Sequence, residues 1–250
     1  MPDAFRTKLQ QGSLLIGGWV TLASPMVAEA VASCGFDWVA IDMEHGASSL
    51  HDALLSFAMC ERHGAIPFVR LASADPFHAR RVIDAGAMGV LVPVVESATD
   101  FSAFAAHLRF APAGRRGAAL YRANQWGDKF DDYVPDFTPI TVAMIETQEG
   151  ARQAEAIAKL DCTDALFVGP YDLSADLGDP GNFDTDGFRE NIALIKKAAA
   201  SAGKPVGFHQ VPTNAEALAD RIDEGYSLIA YGLDVTAMRD NLKTFRNALK

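Results

Sequence analysis

Eight short apolar runs, each followed by a helical pattern, constrain the fold of this chain more than any other feature. They are S-L-L-I-G-G-W-V (13–20), W-V-A-I-D (38–42), I-P-F-V-R-L (66–71), G-V-L-V-P-V-V (89–95), I-T-V-A-M-I-E (140–146), A-L-F-V-G (165–169), P-V-G-F-H (205–209) and L-I-A-Y-G (228–232). Rich in Val, Ile and Leu with little polar alternation, they suit parallel strands covered on both faces. Ser24 and Pro25 stand as N-cap and first residue of a helix that stops before Gly35, and Asp75-Pro76 opens another closed by Gly86. Further helical patterns cover 49–63, 98–108, 149–160, 186–202, 213–224 and 235–249. Eight strand–helix units in 250 residues make a (β/α)8 barrel, with 1–250 as one domain. An open doubly wound sheet shares the alternation and is the competing architecture. One connection, 96–139, is far longer than a helix and its loops require. It contains G-R-R-G-A-A-L-Y-R-A-N-Q-W-G (114–127), and connections of this length are usually functional or disordered.

In a barrel, chemistry is carried where strands end and the following loops begin. Those ends here offer Asp42, Glu44 and His45 after the second run, Arg70 in the third and Glu146 ending the fifth. Asp172 follows the sixth, and His209 and Asp234 follow the seventh and eighth. Glu146 and Asp172 are hard anionic oxygens with no cysteine nearby, a donor set suited to Mg²⁺ or Mn²⁺, with water and substrate completing the shell. Each could instead cap its following helix. Glu149 rivals Glu146 but falls in the expected first helical turn, where it complements the helix dipole. Arg70 inside an apolar strand requires an anion, either a substrate carboxylate or a buried partner among Asp42, Glu44 and Asp84. His45 can act as acid, base or ligand near neutral pH.

The lysines are informative by position. Lys129, Lys159, Lys196, Lys197, Lys204 and Lys243 fall in loops, helices or the leading edge of a strand, and none stands at a strand's C-terminal end. A Schiff-base mechanism wants a desolvated lysine at the mouth, so carbonyl chemistry here points to a metal as electron sink. A net charge of −10 argues against nucleic acid as partner but not against small anionic substrates, since a local arginine can dominate a pocket. Three scattered cysteines without a C-x-x-C pair suit the reducing cytoplasm, and no run approaches the ~18 apolar residues of a membrane span.

Taken in order, W-V-A-I-D-M-E-H-G, F-V-R-L-A-S-A-D-P, G-A-M-G-V-L-V-P-V-V, G-R-R-G, M-I-E-T and F-V-G-P-Y-D-L-S resemble the HpcH/HpaI family of class II pyruvate aldolases over nearly the whole chain. The resemblance implies a (β/α)8 barrel that reversibly joins pyruvate, as its enolate, to an aldehyde, giving a 4-hydroxy-2-oxo acid. It implies a divalent cation (Mg²⁺, Mn²⁺ or Co²⁺) and a homohexamer, a trimer of dimers with the last helix exchanged between neighbours. Glu146 and Asp172 match the metal ligands, and Arg70 the residue that binds the keto oxygen. His45 matches the acid/base histidine, with a water that it positions as the alternative base. Asp42 and Asp84 match acidic residues near that histidine, Asp84 reaching it across a subunit boundary. Gly169 and Pro170 match the backbone that lines the pyruvate carboxylate. Met144 stands where many relatives carry glutamine, and A-A-L-Y-R-A-N-Q-W-G departs from the commoner G-S-A-L-A-R-A-S, so acceptor preference does not transfer. Two other readings remain: a citrate-lyase β/malyl-CoA type lyase, distinguished by acetyl-CoA release, and a non-catalytic 2-oxo-acid-binding barrel, distinguished by the lack of pyruvate-methyl proton exchange.

Overall fold

The computed structural model describes residues 2–249. Its strands are β1 (Leu15–Val20), β2 (Trp38–Asp42), β3 (Ile66–Arg70), β4 (Gly89–Val92), β5 (Ile140–Ile145), β6 (Ala165–Val168), β7 (Val206–Gln210) and β8 (Leu228–Tyr231). They pair in parallel in sequence order and close into a barrel through β8 and β1. The barrel expectation holds, and the open sheet is excluded by that closure. Each apolar run became a strand within two or three residues of its expected ends.

Helices wrap the outside: α1 (Pro2–Gln10), α2 (Pro25–Ala32), α3 (Leu50–Arg62), α4 (Pro76–Asp84), α5 (Ala98–Ala105), α6 (Phe130–Asp136), α7 (Gln148–Ala158), α8 (Pro170–Asp176), α9 (Asp186–Ala202), α10 (Ala215–Asp223) and α11 (Asp234–Lys243). Their starts have local causes. The Asp75 side chain accepts from the N–H of Phe77, and Ser49 and Asp52 close a reciprocal capping box on α3. Helices α1, α6 and α8 were not anticipated. Helix α1 carries Phe5 and Leu9 into the bottom of the barrel, so its order comes from tertiary burial rather than from local periodicity. The helix expected over 235–249 is α-helical only to Lys243 and continues as a 3₁₀ helix over Thr244–Leu249.

Strand parity places the functional side chains. Trp38, Ala40 and Asp42 alternate inward on β2, while Val39 and Ile41 pack outward against the helices. The same alternation carries Ile66 and Phe68 to Arg70 on β3, and Ile140, Val142 and Met144 to Glu146 just past β5. Large rings (Trp38, Phe68 and Phe167) fill the interior below these polar ends. The barrel is therefore a packed plug with polar groups gathered at one mouth.

Candidate active site

The turn after β2 is built around one carboxylate. Asp42 is fully buried, and its Oδ1 accepts from the backbone N–H groups of Glu44 (2.9 Å) and His45 (3.1 Å) and from Arg70 Nε (3.0 Å). Its Oδ2 accepts from Arg70 Nη2 and from the indole Nε1 of Trp19 (3.1 Å). The chain turns so tightly here that a Cβ on Gly46 would collide with the Asp42 carbonyl oxygen. Burial pushes the Asp42 carboxyl up, but the paired Arg70 and the Trp19 and His45 N–H groups together hold it below the usual range. With every lone-pair direction taken, Asp42 works by holding its neighbours in place.

Arg70 is anchored by these contacts and by Glu44, whose Oε2 lies 3.1 Å from Nη1. The β2–β3 register sets Asp42 directly beside Arg70, which is why the fork is bidentate. Of the two alternatives for this arginine, the structure shows the internal pairing, to Asp42 and Glu44 and not to Asp84. The outer N–H groups remain for a ligand. His45 projects into solvent, 4.0 Å from the Glu44 carboxylate through Nε2.

Across the mouth, Glu146 is buried, with only 2% of its surface exposed. The N–H of Val94 donates to its Oε2 (2.8 Å), while its Oε1 is buried with no partner. Val94 adopts φ +49°, a left-handed conformation costly for a β-branched residue, and that conformation aims the N–H at Glu146. On the other side Gly169 touches the same carboxylate, and a Cβ there would overlap Oε1. Burial pushes the Glu146 carboxyl up to about 7; the Val94 N–H opposes this, and the charges of Asp172 and Glu44 add to it. Asp172 is exposed in the first turn of α8, which starts at Pro170 immediately after Gly169. Glu149 lies on α7 bound to Arg152 and Gln153, as a helix-surface residue.

A buried carboxylate oxygen without a partner, with a second carboxylate beside it, fits a hard divalent cation. Among the described residues no cluster of three or more His, Cys, Asp or Glu forms a closed cage. A cation held by Glu146 and Asp172 would thus keep coordination positions open for substrate and water, as a catalytic site requires.

Asp84 lies elsewhere in the subunit. It ends α4, at the opposite end of the barrel from His45, and its Oδ1 accepts from Arg116 Nη2 (2.6 Å). The Arg116 guanidinium sits among the rings of Phe110, Tyr133 and Phe137. Asp234 binds Thr21 and the N–H of Leu22, closing the β8–β1 seam. His209 faces inward from β7, stacked on Trp19 at 4.4 Å with Nε2 3.2 Å from the Gly232 carbonyl oxygen. Sequence reasoning missed Trp19 and Val94. The indole stood inside an apolar run and read as core, and nothing in P-V-V marks a left-handed residue.

A (β/α)8 barrel with Arg70, His45 and four carboxylates (Asp42, Glu44, Glu146 and Asp172) at its mouth, one of them holding a free buried oxygen, has the features of a barrel enzyme. Residues 15–241 match the HpcH/HpaI aldolase/citrate lyase family, and the chain belongs to it. It is 31% identical to the 5-keto-4-deoxy-D-glucarate aldolase of Salmonella paratyphi A, over 100% of this chain and 97% of that protein. The structure of an HpcH/HpaI aldolase/citrate lyase family protein from Burkholderia cenocepacia J2315 superposes with a TM-score of 0.92 at 28% identity, covering 99% of this chain and 100% of that one. The citrate lyase β subunit of Mycobacterium tuberculosis, solved with oxaloacetate and magnesium, shares the fold at a TM-score of 0.60 and 19% identity, over 91% and 95% of the two chains. The protein is thus an enzyme of a family whose chemistry is aldol cleavage and condensation of hydroxy-keto acids with pyruvate as product.

Proposed function

We propose that the protein is a metal-dependent aldolase that reversibly cleaves 4-hydroxy-2-oxo acids to pyruvate and an aldehyde. The observation that carries this reading is the buried, half-partnered Glu146 facing Arg70 across the mouth. Glu146 and Asp172 would hold a divalent cation (Mg²⁺, Mn²⁺ or Co²⁺). When bound, that cation supplies Lewis-acid polarisation of the 2-oxo group, which acidifies the pyruvate methyl. Arg70 directs its outer N–H groups at the keto oxygen, where negative charge develops as the enolate forms. Backbone at Gly169 and Pro170, opening α8, receives the substrate carboxylate at a helix start. His45 exchanges the proton between the acceptor oxygen and solvent. Asp84 would assist His45 of a neighbouring subunit.

The assembly is read as a homohexamer, a trimer of dimers with α11 exchanged. Met238, Leu242 and Phe245 are exposed on this terminal segment, an apolar face without a partner in the subunit. Small-molecule substrates, a single domain and a cytoplasmic setting complete the reading. No helix among the described residues is long and apolar enough to cross a membrane.

The test is chelation followed by re-addition. Cleavage should vanish with EDTA and return with Mg²⁺, Mn²⁺ or Co²⁺, and borohydride with pyruvate should leave every lysine unmodified. Activity that persists without metal, or a lysine adduct, overturns the proposal.

A further inference from the structure

The catalytic face contains one large side chain that the reaction as described does not use. Trp19 is 1% exposed, points inward from β1, and among the described residues is the only neutral side chain that hydrogen-bonds Asp42. The β1–β2 register pairs Trp19 with Ala40, so the indole passes over a methyl and reaches the next inward residue, Asp42. Its ring does two further things. The Arg70 guanidinium carbon lies 5.1 Å from the indole centroid, within cation–π range. A second ring contact is His209, stacked at an interplanar angle of 27° and itself tied to the Gly232 carbonyl.

We propose that Trp19 is a positioning residue for the aldol reaction, setting Arg70 through Asp42. The proposal rests on Arg70 acting at the keto oxygen. Asp42 and the substrate oxygen compete for one guanidinium. Oδ2 of Asp42 has two donors, Arg70 Nη2 and the Trp19 N–H. Removing the indole N–H leaves a buried carboxylate oxygen with a single donor, and the unmet charge draws Arg70 more tightly onto Asp42. The outer N–H groups then move away from the mouth. The effect falls on the step in which charge develops on the keto oxygen, and so on kcat more than on KM.

The experiment is a double-mutant cycle on pyruvate-methyl proton exchange with Mg²⁺, using Trp19→Phe, Asp42→Asn and the pair. Trp19→Phe keeps an apolar ring and loses the N–H. It should lower kcat about 10-fold, the size expected for a hydrogen bond to a charged group, with KM for pyruvate within about 2-fold. In the Asp42→Asn background the same change should cost less than about 2-fold, because the group it acts through is gone. An equal fall in both backgrounds, or no fall in the first, overturns the proposal.

Should Trp19→Phe not fold, the indole N–H resonances of the three tryptophans decide, since Asp42→Asn should shift one of them and leave those of Trp38 and Trp126 in place. No shift overturns it equally. Arg70→Lys separates this proposal from the functional reading. If exchange is insensitive to Arg70, the assigned role of Arg70 fails, whereas sensitivity to Arg70 with an additive cycle defeats only the role of Trp19.

Discussion

Strands β5 and β6 end in a buried carboxylate at both ends of the barrel, and the two carboxylates differ in one respect. At the bottom, Asp164 accepts from Arg6 Nε (2.9 Å) and from the N–H of Thr141 (2.8 Å), so both oxygens and the charge are satisfied. At the top, Glu146 has the N–H of Val94 on one oxygen and nothing on the other. Asp164 thus pins α1 under the barrel as a finished structural joint. Glu146 is held in orientation but left electrostatically incomplete, its carboxyl raised to about 7 by burial. Burial alone does not mark a functional carboxylate; a missing partner beside a second anion does.

The largest effect is expected at Glu146. Glu146→Gln keeps the shape and removes the charge, so Mn²⁺ uptake measured by titration calorimetry should disappear and cleavage should fall about 10³-fold or more. Thermal stability of the metal-free protein should not fall, because burial already disfavours the charged form. Retained Mn²⁺ binding would put the cation elsewhere. Next in size, His45→Ala should slow cleavage about 10²–10⁴-fold while leaving Mn²⁺ affinity intact, since His45 donates no lone pair to the proposed site. Loss of metal binding in that variant would make the histidine a ligand.

At the other end, Asp164→Ala should do the reverse. It strips Arg6 and Thr141 of their acceptor and should cost on the order of 3 kcal/mol in denaturant unfolding, with Mn²⁺ affinity unchanged. A stable Asp164→Ala protein would mean that α1 is held by Phe5 and Leu9 alone.

The smallest effect is expected at His209, a half-buried group on β7. Burial takes His209 down to about 4, so it is neutral in the folded state where an unfolded histidine near 6.5 is still partly charged. The unfolded chain therefore binds more protons between these values. The contribution of His209 to stability is fully present above about 6.5 and is lost as pH falls toward 4. Replacing His209 with Phe should flatten that part of the stability–pH curve, and an unchanged slope would show the ring to be charged or exposed.

Much of this was legible in the chain. Val/Ile/Leu runs of the right length separated by helical patterns specify buried parallel strands, and the C-terminal ends of those runs already put Asp42, Arg70 and Glu146 at the expected mouth. The Asp75-Pro76 signal fixed the start of α4 because its capping bond involves residues only two apart. Other features were not legible. Whether Arg70 met substrate or an internal acid depended on the β2–β3 register. That Asp84, ending the helix after β3, lies at the far end of its own subunit from His45 followed from the chain direction in the barrel and from no local signal.

What the sequence determined by itself was the set of local, short-range facts: the strand positions and most of the helices, the absence of a mouth lysine, and the two candidate metal carboxylates. These follow from periodicity and local hydrogen bonding. Only the tertiary structure decided that Trp19 reaches Asp42, that Val94 twists its N–H onto Glu146, and that Glu146 rather than Asp164 lacks a partner. Those distinctions depend on contacts between residues 23 to 52 positions apart. A hydrogen bond forms or fails within a few tenths of an ångström, and barrel closure, not local sequence, sets distances to that accuracy.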